Sequence, residues 1–359
     1  MLKMGKVGVD CWWGEGQGGG VLKVRMEKGA LRDPEGFRGA LGDWFVREGR
    51  DYPWRRRRDA WGVLVSEVML QQTQIATVLG RGYYTRFLEV FPDPSACAVA
   101  EDGPLLKAWE GLGYYRRARM LRETARAVVA RGGFPEEVEE LMGLPGVGRY
   151  TAGALRAFAF DLPAVLVDGN VARVLARVMD FREEVDGPAG LKQVWGWAEE
   201  LADGERPRIY HAALMELGQR ICRPGVPDCM GCPVARFCKT REPERLPVKR
   251  AKVAVTEVVE HALWVKDGRG RVLLHREGGK RREGLWKLPT REEGEVGALK
   301  VVHESRYSIT RYRVALRVYG GRRVKAREGE EWHDVEGIGD LAMPSPFRRV
   351  VEFLLENGM

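Results

Sequence analysis

Leu144-Pro145-Gly146-Val147-Gly148-Arg149-Tyr150-Thr151-Ala152 is the stretch that decides the fold. Two glycines flank one apolar residue, Val147, and apolar positions follow at Ala152, Ala154, Leu155 and Phe158. Upstream, Val138, Leu141 and Met142 stand at helical spacing. The pattern predicts helix, tight glycine turn, helix. Such a turn leaves backbone N–H groups at the start of the second helix. Aided by the helix dipole, these bind phosphate oxygens without reading base sequence. An ordinary helix hairpin satisfies the same letters. About one helix further on, Val167-Asp168-Gly169-Asn170-Val171 opens a new helix with a carboxylate, which sets acid chemistry beside the presumed phosphate clamp.

The chain has 359 residues and a formal net charge of +8. That length allows about two or three domains, and the charge favours a polyanionic partner, most simply nucleic acid. No apolar run reaches the about 18 residues of a membrane span. The residues Gly14–Gly20 are glycine-rich where a secretion signal has an apolar core. A cytoplasmic, nucleoid-associated protein without a membrane partner is the expectation. Six cysteines are present and four of them fall between Cys222 and Cys238. Without a secretion signal, disulfides are not expected, and Cys11 and Cys97 stand alone as inert thiols.

Taken in order, residues 1–28 are pattern-poor and read as a disordered extension, with Met26 as an alternative start. Helical patterning begins near Pro34 with Phe37, Leu41, Trp44, Phe45 and Val46. In Tyr52-Pro53-Trp54-Arg55-Arg56-Arg57-Arg58, arginines beside aromatics suit a phosphate-binding edge or a solvated loop. Trp61 to Leu79 reads as one helix. Glu67 lies in it between Leu64, Val65 and Val68, and Gln71, Gln72 and Thr73 follow. A carboxyl group near an apolar face holds its proton and serves as a general acid; an exposed helix glutamate is the alternative. Further helices are expected over Tyr83–Phe91, Pro104–Leu112, Tyr115–Ala130, Leu191–Leu201 and Tyr210–Arg220. Between them, Gly111-Leu112-Gly113-Tyr114-Tyr115-Arg116-Arg117 suits either a DNA-contact loop or packing of its apolar residues into a core.

The four cysteines are spaced Cys-x6-Cys-x2-Cys-x5-Cys. Structural zinc sites use two short pairs separated by a longer loop, whereas one long gap followed by two short ones suits a four-thiolate iron–sulfur cage. Lys239 to Lys252 is a charged linker. Beyond Glu257, Val258 to Val265, the turn Asp267-Gly268-Arg269-Gly270 and Val272 to Leu274 read as a β-hairpin. Strands near Leu285–Leu288 and over Tyr312–Tyr319, and a closing helix over Phe347–Leu355, complete a small α+β domain.

Together these motifs resemble the MutY-type adenine DNA glycosylases of the helix-hairpin-helix superfamily. Ser66-Glu67-Val68-Met69-Leu70-Gln71-Gln72-Thr73 carries most of the likeness. Gly111 to Tyr115, Leu144 to Gly148, Asp168 to Val171 and the cysteine spacing agree with it in order. The resemblance implies a mainly α N-terminal part of two helical subdomains, one with the hairpin and one with a 4Fe-4S cluster held by Cys222, Cys229, Cys232 and Cys238. It also implies a Nudix-like α+β C-terminal domain. The expected boundaries are 29–238 for the catalytic domain, 239–254 for the linker and 255–359 for the C-terminal domain. The implied activity is removal of adenine mispaired with 8-oxoguanine or guanine in double-stranded DNA, by a monomer.

A base buried in duplex must be flipped out before its glycosidic bond is attacked. By resemblance, Glu67 is the general acid at adenine N7. Asp168, favoured as an anion near a helix N-terminus, stabilises the oxocarbenium-like sugar. Tyr150 and Asn170 match positions that hydrogen-bond the catalytic carboxylate. Gln72 and Tyr114 match wedge residues, and Leu112, Gly146, Gly148 and Arg149 share the DNA-binding motifs. Strand-nicking relatives carry a lysine where this chain has Tyr150; an amine forms a Schiff base with the sugar and a phenol does not, so monofunctional base removal is expected. The C-terminal domain departs from the family. A Phe-Ser-His loop recognises 8-oxoguanine there, whereas Ser305, Arg306 and Tyr307 stand here, leaving Arg306 and Tyr307 as substitute lesion contacts. Arg291-Glu292-Glu293-Gly294-Glu295 lacks the spacing of a Nudix hydrolase. The rivals are a thymine-mismatch or endonuclease III-like glycosylase and a non-enzymatic iron–sulfur protein that binds damaged DNA.

Overall fold

The computed structural model describes residues 31–251, 254–279, 282–321 and 324–359. The expected extension 1–28, with Cys11 and Met26, lies outside the described residues. The chain divides into two compact units: residues up to Arg50 with Leu162–Arg250, and Asp51–Asp161 with Ala251–Met359. Among the described residues, no helix is long and apolar enough to cross a membrane.

The first unit is helical. Its main helices are Pro34–Glu48, Gly169–Val178, Pro188–Leu201 and Pro207–Arg220. The Pro34–Glu48 helix starts where Asp33 accepts a hydrogen bond from the Gly36 N–H, a cap worth about 1 kcal/mol. Phe37, Leu41 and Trp44 recur at helical spacing and are buried against Val171, Val174, Leu175, Trp197, Leu214 and Leu217. Val46 of the same pattern points out of this core and is exposed. The cysteine loop packs on it through Cys222, Cys232 and Phe237.

The second unit joins a helical part to an α+β part. Val138–Met142 and Arg149–Ala154 form the expected hairpin, and one π-helical turn, Leu155–Phe160, extends it. Gly146 sits at φ +77°, and a Cβ there would lie 2.1 Å from Met120 Cγ, so glycine is required by both conformation and space. The expected helix Trp61–Leu79 is broken. One helix runs Ala60–Leu70 and a second Ile75–Gly80, and between them Gln72 adopts φ +57°. The apolar periodicity continues across the break; what stops the helix is Arg117, which donates Nη1 to the carbonyls of Val68 and Met69, both at 2.9 Å.

The α+β part has strands β1 (Thr256–Val265), β2 (Val272–Arg276), β3 (Trp286–Lys287), β4 (Thr290–Arg291), β5 (Lys300–Ile309), β6 (Tyr312–Gly321) and β7 (Glu330–His333). One sheet has the order β4-β1-β6-β5 and the other β3-β2-β7. The hairpin expected of β1 and β2 therefore does not form as a ladder. β1 runs parallel to β6, with Ala262 opposite Val318, and β2 pairs with β3 and β7. A single bridge, Lys266 to Val272, flanks the turn. The helix Ser345–Glu356 covers the sheets through Phe347, Val350, Val351 and Leu354. Leu285 and Ala342 leave this core and are buried in the helical one, among Leu105, Leu106, Trp109 and Tyr115.

Candidate active site and nucleic-acid interface

Glu67 lies in the second unit, in the middle of the helix Ala60–Leu70. Every residue of that helix from Trp61 to Met69 is buried, and Glu67 is 6% exposed. The exposed-glutamate alternative is thus excluded. An ionisable group in such a place needs a polar partner. The Tyr150 hydroxyl, one residue into the second hairpin helix, donates to Glu67 Oε2 at 2.8 Å. The decisive stretch of sequence therefore does more than turn the chain: it delivers a phenol to the buried carboxyl group.

Asp168 and Asn170 lie in the first unit, where Asp168 caps the helix Gly169–Val178. Its Oδ1 accepts from the N–H groups of Asn170 at 2.9 Å and Val171 at 2.7 Å. The Asn170 side-chain amide donates to Oδ2 at 2.8 Å. Three donors and a helix N-terminus thus surround one carboxylate. Asn170 is itself held, because Arg173 Nη2 donates to its Oδ1 at 2.8 Å. Arg173 Nε also donates to the Cys222 carbonyl at 2.8 Å, and Arg177 Nη1 reaches Cys222 Sγ at 3.3 Å. Arg173 thus connects the Asp168 cap with the first cysteine of the loop, and Arg177, on the same helix, holds that cysteine's sulfur; both arginines are buried. Sequence reasoning missed both. The available signal was an i,i+4 pair of arginines inside an apolar helix face, where unpaired cations are not tolerated.

The cysteines Cys222, Cys229, Cys232 and Cys238 line one cavity of about 200 Å³. Burial pushes the Cys232 thiol up to about 12 and raises those of Cys229 and Cys238. A metal centre that converts thiols to thiolates reverses this preference. Four thiols around one cavity, with the Arg177 guanidinium against one of them, fit an anionic cluster. Among the described residues, no three His, Cys, Asp or Glu side chains converge on a single-ion site. The remaining described cysteine, Cys97, is fully buried, and burial pushes its thiol up to about 12.

The expected wedge residues project from two turns of the second unit. Gln72 is exposed, and Tyr114 is 46% exposed. Both take left-handed backbone, φ +57° and +47°, a strain that persists only where the surroundings fix it. Arg117 is the fixture. It donates Nη1 to the Gln71 carbonyl at 2.5 Å. Its Nη2 reaches the Leu112 carbonyl at 2.9 Å and that of Gly113 at 3.1 Å. Burial lowers the Arg117 guanidinium to about 10. The sequence offered this arginine only as a DNA contact. Leu112 is 5% exposed and buried in the helical core, the packing alternative for that loop. A cavity of about 500 Å³ opens beside Gln72, Tyr114, Arg117, Met120 and Gly146. Gly148 and Arg149 are exposed at the hairpin. Arg56 and Arg57 pair with Asp51 and Asp59 at 2.5 Å each.

In the α+β part, Arg306 and Tyr307 lie within the regular strand β5, paired to Ala315 and Val314 of β6, rather than in a loop. Neighbouring strand residues face opposite ways. Arg306 is exposed, while Tyr307 packs against the sheet core and its hydroxyl donates to Glu260 Oε2. Glu295 and Glu330, around the short glutamate run, pair with Arg327 and Arg291.

Residues 65–189 match the family described as "HhH-GPD superfamily base excision DNA repair protein", so this segment is similar to helix-hairpin-helix repair domains. Within that class the chain is similar to adenine DNA glycosylases, as the motifs implied. It is 46% identical to the human enzyme over 217 residues, 57% of this chain and 39% of that protein. Identity to the Arabidopsis thaliana enzyme is 35% over 329 residues, 79% and 50%. To the Mycobacterium tuberculosis enzyme it is 40% over 195 residues, 53% and 63%. The matched region thus spans between 39% and 63% of these relatives' length. Among solved structures, a thermostable thymine-DNA glycosylase is similar with a TM-score of 0.51 and 28% identity, covering 58% of this chain and 96% of that one.

Proposed function

We propose that this chain is a monofunctional DNA glycosylase of base-excision repair that removes adenine mispaired with 8-oxoguanine or guanine. The observation that carries the reading is the buried Glu67 with the Tyr150 phenol on it at 2.8 Å, on a chain similar to adenine glycosylases along most of its helical part. Adenine is a poor leaving group until protonated. Glu67, in a water-poor site, gives its proton to N7 of the flipped base. As the glycosidic bond breaks, its electron pair leaves with the adenine and the sugar gains oxocarbenium character. The Asp168 carboxylate, oriented by Asn170, stabilises that charge. Water then adds at C1′ and its proton passes to a carboxylate. No amine stands at position 150, so no Schiff base with the sugar follows.

Cys222, Cys229, Cys232 and Cys238 are the thiolates that would hold a 4Fe-4S cluster; when bound it would cross-link the loop that Arg173 ties to the Asp168 cap and Arg177 to the helix behind it. Gln72 and Tyr114 enter the duplex. Gly146, Gly148 and Arg149 hold a phosphate, and Arg306 is the remaining candidate for reading the lesion. The protein works as a monomer in the compartment that holds the DNA, with its catalytic part at 29–238 and its lesion-reading part at 255–359.

Single-turnover base release decides the matter on duplexes with adenine opposite 8-oxoguanine, guanine, cytosine and thymine, and with thymine opposite guanine. Release of adenine opposite 8-oxoguanine or guanine, without strand nicking before alkali, is expected. Release of thymine alone would favour the second reading, which the similarity to a thymine-DNA glycosylase supports. Binding without any release would overturn both in favour of a damage-binding protein.

A further inference from the structure

The loop Gly111–Tyr115, which carries Tyr114, is clamped at both ends by one short stretch of the α+β part of its own unit. At the first end, Arg348 Nε donates to Glu110 Oε1 at 2.7 Å and Nη2 to Oε2 at 3.4 Å. Arg348 Nη1 also donates to the Ile338 carbonyl at 3.0 Å, and Nη2 to that of Leu341. Lys107 Nζ completes the group, 2.7 Å from Glu110 Oε2. The Arg348 and Glu110 side chains are 13% and 14% exposed, so solvent and salt screen the pair little. At the other end, the buried Tyr115 hydroxyl donates to the Met343 carbonyl at 2.8 Å. Leu285 and Ala342 are sunk in the helical core alongside.

Between the clamps the backbone is strained. Gly111 and Gly113 take φ +97° and +68°, and Tyr114, which has a Cβ, takes +47°. Arg117 holds the inner side of the loop through the Leu112 and Gly113 carbonyls. The Trp109 indole also donates to the Gly113 carbonyl at 3.2 Å, so these grips hold the middle of the loop; strain of this kind survives only when the surroundings over-determine it. We propose that the stretch Ile338–Arg348 is the outer brace of this loop and that Arg348, acting through Glu110, is a positioning residue for Tyr114. The C-terminal part thereby contributes to base extrusion from behind the DNA-facing surface, separately from any contact of its own with the lesion. The inference rests on the reading of Tyr114 as a wedge.

The test uses the full chain with Arg348→Met, Glu110→Gln and Tyr115→Phe, and Arg348→Lys as the conservative variant. The first readout is the fluorescence of 2-aminopurine at the target position opposite 8-oxoguanine, which rises when the base leaves the stack and needs no chemistry. The second compares base release for adenine opposite 8-oxoguanine and opposite an abasic site, where the target is already loosely stacked. The expected result for Arg348→Met is a weakened fluorescence rise and about tenfold slower release from the mismatch, with less than about twofold change opposite the abasic site. Arg348→Lys recovers part of both, and Tyr115→Phe and Glu110→Gln act in the same direction. Equal losses on both substrates would mean a general structural defect and overturn the proposal, as would wild-type fluorescence in Glu110→Gln and Arg348→Met. If the wild-type chain releases no base, the glycosylase reading falls while the fluorescence series still decides for or against the brace.

Discussion

Glu67 and Asp168 carry the same functional group in opposite surroundings. Glu67 sits in the middle of an apolar helix, buried, with a phenol for company. Asp168 sits at the first turn of a helix, half-buried, with two backbone N–H groups and an amide aimed at its oxygens. Apolar burial disfavours a carboxylate charge, while a helix N-terminus and charge-assisted hydrogen bonds favour it. One surrounding suits a group that must give up a proton, the other a group that must face a developing cation. The difference lies in the local fold and not in the side chain, and the proposed mechanism uses it to give the two carboxyl groups two tasks.

The largest expected effect comes from replacing each by its amide. Glu67→Gln keeps the shape and removes the proton. Base release is expected to fall by about a thousandfold, the range of general acid catalysis, with DNA binding retained. Asp168→Asn keeps the cap, since asparagine caps as well as aspartate. Its melting temperature should therefore stay near wild type while base release falls on a similar scale. Single-turnover rates beside a thermal melt measure this. An Asp168→Asn variant with wild-type rate would reduce Asp168 to a cap and dissolve the comparison.

Next is the support of each carboxyl group. Arg173 fixes Asn170 and, through the Cys222 carbonyl, the cysteine loop. Arg173→Met leaves the Gly218 and Cys222 carbonyls without that donor. It is expected to slow release by about a hundredfold through misplacement of Asn170 and Asp168. With the proposed cluster bound, the cysteine loop should also lose iron to chelators more readily, which absorbance of the purified protein follows. A rate loss with an unchanged loop would confine Arg173 to the Asp168 side.

How much of this was legible follows from range. The hairpin, the Asp168 cap and the cysteine loop were readable because their signals are local: a glycine turn, an N-cap residue, a fixed spacing. The break at Gln72 was not, because the apolar period runs through it to Ile75 and Val78, and the cause, Arg117, is 46 residues away from Gln71. The turn Asp267–Gly270 advertises a hairpin, yet β1, buried in its second half, finds its neighbours in β4 and β6, because a central strand is claimed by whichever partners complete the sheet. Glu67 was legible as a candidate acid from its neighbours Leu64, Val65 and Val68, but only the tertiary structure, which buries its helix on every side, removes the exposed alternative. Tyr150 was expected beside the catalytic carboxylate; its bond to Glu67 required the tertiary structure.

A further expected effect is one of pH on the segment leading to Asp168. His211 Nε2 bonds the Ala164 carbonyl at 2.9 Å, and burial lowers the imidazole from 6.5 to about 4. The unfolded chain thus binds a proton between these values that the folded chain refuses, so stability rises with pH through that window and is lost as pH falls toward 4. Between pH 7 and pH 5 the loss is on the order of 2 kcal/mol, about thirtyfold in the folding equilibrium. Urea titrations at the two pH values measure it. His211→Gln, which keeps a donor for Ala164, should flatten the dependence; an unaltered slope would assign it to other groups.

The smallest effect, and the one that sharpens the comparison most, is expected from Tyr150→Phe. The phenol gives Glu67 a donor such as Asp168 has in abundance. A donor to a carboxylate favours its charged form, so Tyr150 acts against the protonated state that the proposed mechanism requires of Glu67. Two consequences oppose each other. Without the hydroxyl, Glu67 keeps its proton to higher pH, and the basic limb of the rate profile moves up. The carboxyl group also loses its orientation, and the maximal rate falls by about tenfold. A pH–rate profile under single-turnover conditions separates the two, because position of the limb reports protonation and height of the plateau reports geometry. If the plateau falls with the limb unmoved, Tyr150 orients Glu67 without tuning it. If the limb moves and the plateau holds, Tyr150 tunes the charge of Glu67 without orienting it.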